Sequence, residues 1–270
     1  MDRKIIVITG VSSGIGMAFV KKALNSGEFT VIGFGRKDNK EVNDPNYFFY
    51  KVDLLDERAI KVAVDKVIKK FKRVNVLINN AGFAYRSTFE DLSSKEMREQ
   101  FEVNLFGPAV LVNLILPIMR KQNTGHIINV SSVASSVNTP TLGYYAATKV
   151  ALDKLSEVLR QEVKAFGISV SLLIPGAVKT NFGKNIKLPK NYKKSSYNNL
   201  YSEWENRFRN FFNIRNTSDD VAEGMLSLIN KPQNIKYINN RDWVMCTLEK
   251  YLPRQLFHYL FLNYFYRNEG

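Results

Sequence analysis

Only one cysteine, Cys246, and two histidines, His126 and His258, occur in the 270 residues. A lone cysteine excludes an intrachain disulfide and a cysteine-rich zinc site, and it fits a reducing, cytoplasmic compartment. The histidines stand far apart in no cluster, so no metal site is expected. There is no convincing G-x-S-x-G nucleophile elbow, and His126 stands at the beginning of a strand rather than in a strand-end loop, which speaks against Ser-His-acid hydrolysis. There is no run of 18 apolar residues, so no membrane-spanning helix is expected. A core strand begins within four residues of the N-terminus, so no signal peptide is expected. No Pro/Gly/Ser linker divides the chain, and one domain over 1–270 is the reading. Acidic residues are the minority, 25 against 39 Lys and Arg, for a net charge of +14. That charge attracts nucleic acid, an anionic membrane or an anionic ligand, or it reflects a generally lysine-rich composition.

What is present begins with Ile5 to Ile8, a continuous apolar run that reads as a buried strand. It breaks at Thr9 into a turn holding Gly10, Gly14 and Gly16. Apolar residues then resume at helical spacing, at Met17, Ala18, Val20, Ala23 and Leu24. Strand, glycine turn and helix make the first half of a dinucleotide-binding βαβ unit. Glycine lets backbone approach a pyrophosphate, and a helix start offers unpaired N–H groups to it. The spacing is G-x-x-x-G-x-G instead of the commoner G-x-G-x-x-G.

Phe29 to Phe34 reads as a second strand, ending at Gly35-Arg36-Lys37-Asp38. An acidic residue just past this strand would hold ribose hydroxyls and favour NAD(H). Arg36 and Lys37 suit a 2′-phosphate instead and favour NADP(H), while Asp38 could take the ribose role after a small register shift. Tyr47 to Val52 is a third strand. Asp53 after it can accept from an adenine amino group or cap the next helix, a task Asp56 can also perform. A helical pattern runs from Glu57 to Phe71. Val74 to Ile78 is a fourth strand, followed by Asn79-Asn80-Ala81-Gly82.

Leu92 to Leu116 carries a long helical pattern, starting near Ser93 and stopping near Pro117. Asn104 lies within it, unfavourably for a helix unless its side chain has a task. His126 to Val130 is the fifth strand, ending at Ser131-Ser132. Tyr144 to Phe166 is a helix with apolar positions Ala147, Ala151, Leu155, Val158, Leu159 and Val163. Ile168 to Ile174 is the sixth strand, closed by Pro175-Gly176. Alternating strands and helices with short connections imply an α/β fold, a parallel sheet covered by helices on both faces. Functional groups should gather at the carboxyl ends of its strands.

Residues 183–215 break this rhythm with interleaved lysines, arginines and aromatics. A substrate lid over an apolar pocket is favoured over a nucleic-acid surface, and no nucleic-acid partner is expected. Ser218-Asp219-Asp220 opens a helix through Ile229, and Ile235 to Ile238 is a last strand. The extension over 243–270 is apolar, most strongly from Tyr251 to Tyr266. It could pack on the lid, join a partner subunit or make peripheral contact with a membrane.

Tyr145 and Lys149, four apart at a helix start, share one face. A nearby ammonium favours phenolate and lowers a tyrosine pKa. Such a pair can give a proton to a carbonyl oxygen or take one from an alcohol. Ser132, at the end of the preceding strand, can hydrogen-bond the same oxygen.

Taken together, Thr9-Gly-Val-Ser-Ser-Gly-Ile-Gly16, Asp53, Asn79-Asn-Ala-Gly82, Asn104, Ser132, Tyr145-Ala-Ala-Thr-Lys149 and Pro175-Gly176 resemble the short-chain dehydrogenase/reductase (SDR) family, in its order, over residues 3 to about 182. The resemblance implies a single Rossmann-fold domain whose doubly wound seven-stranded sheet has the order 3-2-1-4-5-6-7. It implies Tyr145 as general acid/base, Lys149 as ligand of the nicotinamide ribose, Ser132 as orienter of the carbonyl, and Asn104 as support of a water-linked proton relay. Gly10, Ser12, Ser13, Gly14, Ile15, Gly16, Arg36, Asp53, Leu54, Asn80, Ala81, Gly82, Pro175, Gly176, Val178 and Thr180 would line the cofactor with Tyr145 and Lys149. The basic residue that some NADP(H) users carry in the glycine turn is replaced by Ser13. The implied activity is hydride transfer between NADP(H), favoured over NAD(H), and a carbonyl or secondary alcohol. The aromatic insert and apolar tail point to a bulky steroid-, retinoid- or lipid-like substrate. A homodimer or homotetramer is expected. The alternatives are an NAD-preferring alcohol dehydrogenase and a catalytically silent regulatory protein on the same scaffold.

Overall fold

The computed structural model describes residues 3–38, 41–179, 186–202 and 216–266. Seven strands form a parallel sheet: β1 (Lys4–Thr9), β2 (Phe29–Gly35), β3 (Tyr47–Lys51), β4 (Val76–Asn79), β5 (Gly125–Val130), β6 (Ile168–Ile174) and β9 (Ile235–Tyr237). Their order is β3-β2-β1-β4-β5-β6-β9, the expected 3-2-1-4-5-6-7 once two short strands are set aside. Those two, β7 (Val178–Lys179) and β8 (Asn216–Thr217), pair with each other outside the main sheet.

Strand alternation divides the core. Ile5 and Val7 of β1 enter one apolar cluster, while Ile6 and Ile8 enter the other. Both faces are covered, so the strand reads as an unbroken apolar run. Helices α1 (Gly14–Asn25), α2 (Glu57–Phe71), α3 (Ser94–Phe101), α4 (Gly107–Gln122), α5 (Gly143–Glu162) and α6 (Ser218–Asn230) supply the layers. Phe19 and Val20 of α1 join Val221 and Met225 of α6 on one face. Ile60 and Val64 of α2 join Leu111 and Ile115 of α4 on the other.

Several boundaries differ from the periodicity. The fourth strand starts at Val76 and keeps Asn79. The long helix begins with a capping box of Ser93 and Glu96, but Glu102–Phe106 is a π-turn between α3 and α4. Pro117 does not end α4, which runs on to Gln122 and stops with Asn123 in a left-handed conformation at φ 53°. Leu111, Ile115 and Met119 are fully buried on the sheet side of α4. Their packing outweighs the loss of one hydrogen bond at the proline. The continuous helical stretch 94–122 is long and apolar enough to cross a membrane by composition. Of its most apolar window, 39% is buried inside the fold.

Helix α5 buries a face different from the one its apolar spacing suggests. Tyr145, Thr148, Lys149, Leu152 and Ser156 point inward, whereas Leu155 and Val158 are about half exposed. The tail is two helices, α7 (Asn240–Tyr251) and α8 (Arg254–Tyr266), divided at Pro253. Phe257 and Phe261 dock α8 on Val137.

Candidate active site

At the carboxyl end of β1 the chain turns through Gly10 at φ +77° and Gly14 at φ +60°, conformations that residues with a Cβ rarely adopt. A Cβ on Gly16 would lie 2.2 Å from the Gly10 carbonyl oxygen, so the third glycine lets helix α1 pack under the turn. Ser13 caps α1 in an extended conformation and makes no side-chain cap bond. The first N–H groups of α1 therefore face a groove of 850 Å³ that runs along the strand ends. Gly10, Ser12, Ser13, Gly14, Ile15, Gly16, Arg36, Asp53, Leu54, Asn80, Ala81 and Gly82 all line it. A helix N-terminus, a close-approach glycine turn and Arg36 and Lys37 at the far end suit a phosphate-bearing dinucleotide.

Neighbouring contacts engage two of the acidic residues in question. Asp56 caps α2 by accepting from the Ala59 N–H at 3.0 Å, which leaves Asp53 on the groove. Asp38 accepts from the Tyr47 hydroxyl at 3.3 Å. Asn80 donates to the carbonyl oxygens of Thr9, at 2.9 Å, and Gly10, at 3.3 Å. Its amide braces the glycine turn from below. Thr180 lies outside the described residues.

Beyond Gly82 the groove meets a second cavity of 190 Å³. Ser132, Tyr145, Lys149, Pro175, Gly176 and Val178 border it on one side. Ala84, Ala134, Val137, Leu142 and Ile186 form an apolar wall. The backbone of Lys187 exchanges hydrogen bonds with Ala84 and Arg86, which fixes Ile186 at the seam between the two spaces. Lys187 itself pairs with Glu99 at 2.7 Å, and Glu99 also accepts from Tyr85. Of the basic-aromatic insert, residues 186–202 are described. They are pinned by Tyr201 and Ser195, which both donate to Asp91 at 2.7 Å. Trp204, Phe208, Phe211 and Phe212 lie outside the described residues.

Tyr145 and Ser132 are hydrogen-bonded side chain to side chain. The Lys149 ammonium donates to the Val130 carbonyl oxygen at 2.8 Å and stands 5.8 Å from the centre of the Tyr145 ring. Burial pushes the phenol up to about 12, with the Ser132 bond opposing and Asp153 adding to the rise. Burial pushes Lys149 down to about 8, opposed by the charge of Asp153. Desolvation thus outweighs the lowering of the phenol that the Tyr-Lys spacing suggests.

The π-turn aims Asn104 inward. Its Oδ1 accepts from Phe83 N–H at 3.1 Å, and its Nδ2 donates to Phe83 O at 2.9 Å and to Thr148 Oγ1 at 3.2 Å. A Cβ on Gly82 would lie 3.2 Å from Asn104 Oδ1 and 3.7 Å from Lys149 Nζ, so both flank this glycine. Sequence reading missed Thr148, Asp153 and Ile186. Asp153 is one helical turn beyond Lys149 and two beyond Tyr145, a spacing that could have exposed it. Nothing in the local sequence marks Ile186. His126 is structural, its Nε2 2.8 Å from Ser171 Oγ, and Cys246 is buried. Among the described residues no group of His, Cys, Asp and Glu could hold a metal.

Residues 4–191 match the short chain dehydrogenase family. The oxidoreductase BOA17 of Botryotinia fuckeliana is 37% identical over 193 residues, 69% of this chain and 70% of that protein. The 3-ketodihydrosphingosine reductase of Bacteroides thetaiotaomicron is 35% identical over 185 residues, 68% of each chain. A short-chain dehydrogenase from Streptomyces avermitilis has a solved structure that superposes with a TM-score of 0.80 at 31% identity, over 92% of each chain. With its sheet order, glycine turn and Ser-Tyr-Lys cluster, the chain belongs to the short-chain dehydrogenase/reductase family, NAD(P)(H)-dependent oxidoreductases acting on CH–OH and C=O groups.

Proposed function

We propose that the protein is an NADP(H)-dependent reductase of a bulky, apolar, lipid-like carbonyl compound. The observation that carries this reading is the bonded Ser132–Tyr145 pair at the edge of an apolar cavity that opens onto the dinucleotide groove. When bound, the nicotinamide supplies or accepts the hydride.

The remaining chemistry belongs to the chain. Ser132 orients the substrate oxygen toward Tyr145. The Tyr145 phenol, held protonated by burial, gives its proton to that oxygen as the carbonyl is reduced. Reduction therefore meets a ready acid at neutral pH, whereas alcohol oxidation needs the phenolate and gains from rising pH. Lys149 reaches the floor of the site from below, anchored to Val130 O, and Asn104 holds the Gly82–Phe83 turn against α5 through Thr148.

Ala84, Ala134, Val137, Leu142 and Ile186 offer a hydrocarbon no hydrogen-bond partner, which supports an apolar substrate. The sphingoid ketone in the name of one relative belongs to the same chemical class. Arg36 supports NADP(H) because it lines the groove just past β2, and a guanidinium suits a 2′-phosphate. A panel of long-chain and cyclic ketones assayed with NADPH and NADH tests both claims. Arg36→Ala should raise KM for NADPH about tenfold or more and leave KM for NADH nearly unchanged. Equal effects on the two cofactors would remove the phosphate assignment.

A second copy of the chain is part of the proposal. Phe106 beside α4 and Val150, Leu155 and Val158 on α5 are each about half exposed. They give these helices an outer apolar stripe suited to an isologous partner.

A further inference from the structure

The turn after β6 is held by a residue far outside the segment that matches the family. Asp242, in the first turn of α7, is 6% exposed. Its Oδ2 accepts from the Gly176 backbone N–H at 2.9 Å and from Asn216 Nδ2 at 3.2 Å. Asn216 sits in β8 opposite Val178 of β7, and its Oδ1 accepts from Asn239 Nδ2 at 2.8 Å. Asn239 in turn caps α7 by accepting from Asp242 N–H at 2.8 Å. One buried carboxylate thus joins three pieces of chain: the Pro175–Gly176 turn, the strand that follows the lid, and the start of the C-terminal helices. The fit is close. A Cβ on Gly176 would lie 2.2 Å from Asp242 Oδ1, and its three nearest atoms would all belong to Asp242. Burial raises the carboxyl pKa, and the bonds from Gly176 and Asn216, with the charge of Arg241, work against that rise.

We propose that Asp242 is a positioning residue for the nicotinamide end of the site, setting the Pro175–Val178 wall of the reaction cavity through Gly176 and Asn216. The inference rests on the reading that this wall seats the nicotinamide. It gives the C-terminal helices a part in cofactor geometry besides their packing on Val137. It also accounts for glycine at 176 by the space the carboxylate occupies, since glycine's backbone freedom is not what the contact requires.

The test compares two probes by calorimetry on the full chain, NADP⁺ and 2′-phospho-ADP-ribose, which lacks the nicotinamide. Asp242→Ala should weaken NADP⁺ about tenfold or more, the effect of losing a charge-assisted bond, and leave the fragment within about twofold. Asp242→Asn keeps one oxygen able to accept both bonds and should restore most of the loss. Val178→Trp fills the wall itself and reports on the seat independently of Asp242. If Val178→Trp loses NADP⁺ affinity selectively and Asp242→Ala does not, or Asp242→Ala weakens both probes alike, the proposal is overturned and the seat stands. If neither variant separates the probes, the seat is misplaced and the proposal falls with it. Should Asp242→Ala fail to fold, Gly176→Ala displaces the same carboxylate by contact and should show the same selective loss. Equal weakening of both probes in that variant would overturn the proposal.

Discussion

Replacing Tyr145 with phenylalanine removes the one phenol bonded to Ser132 and leaves the glycine turn of β1 untouched. Turnover should fall by about 10²- to 10⁴-fold while calorimetry shows dinucleotide binding within a fewfold of the wild type. Activity that survives the missing hydroxyl would displace Tyr145 from the reaction. Lys149 carries a second expectation. Its folded-state value of about 8 lies below the ordinary 10.5. The unfolded chain therefore holds more protons between those values, and stability rises with pH across that window. Lys149→Met should raise the unfolding free energy at pH 7, read by chemical denaturation, by at most about a few kcal/mol. The gain should shrink above pH 8 and vanish beyond about 10.5. A constant difference from pH 7 to pH 11 would show that the lysine is not desolvated. At this scale the sequence was informative about residue type and spacing. Ser132, Tyr145 and Lys149 meet as their positions suggest. The direction of the phenol's pKa was not legible, because it depends on how much water the assembled fold excludes.

Asn104 shows what a single element contributes. A regular helix through 94–122 would turn this side chain elsewhere; the π-turn at Glu102–Phe106 brings it to Phe83 and Thr148. Such insertions recur at functional sites. Asn104→Ala strands the Phe83 N–H and C=O and should cost about 1–3 kcal/mol of stability, read by chemical denaturation, with a matching fall in turnover. Turnover that is unaffected by that loss would confine Asn104 to structure. Helical periodicity gave no warning of the π-turn, since one extra residue barely disturbs a pattern 25 residues long. Helix α5 misled in another way. Its apolar stripe is genuine but faces outward, because its inner face carries the polar residues of the site.

For the whole molecule, that outward stripe leads to assembly. Leu155→Glu places a charge in it and should shift light scattering from a dimer or tetramer to the monomer, with little change in the melting temperature of the isolated fold. An unchanged molar mass would exclude α5 from the interface. The sheet order and the two-sided core were legible because unbroken apolar runs alternate with helices. The insert over 183–215 was legible only as an interruption. Among its described residues Ile186 reaches the cavity, held there by a backbone bridge between Lys187 and Tyr85 in the loop after β4, about a hundred residues away in sequence.

The last strand of the sheet is its shortest neighbour to β6. Only Ile235–Tyr237 pairs with Leu172–Ile174, and the whole insert over 183–215 precedes it. A protein ending after the family-matched region would keep the residues of the cofactor groove yet strip α6 from α1, Asp242 from the Gly176 turn and β9 from the ladder of β6. In truncation and domain-fusion work, the cut must fall beyond Tyr237. A shorter piece exposes the hydrogen-bonding edge of an apolar strand, a template that recruits other chains.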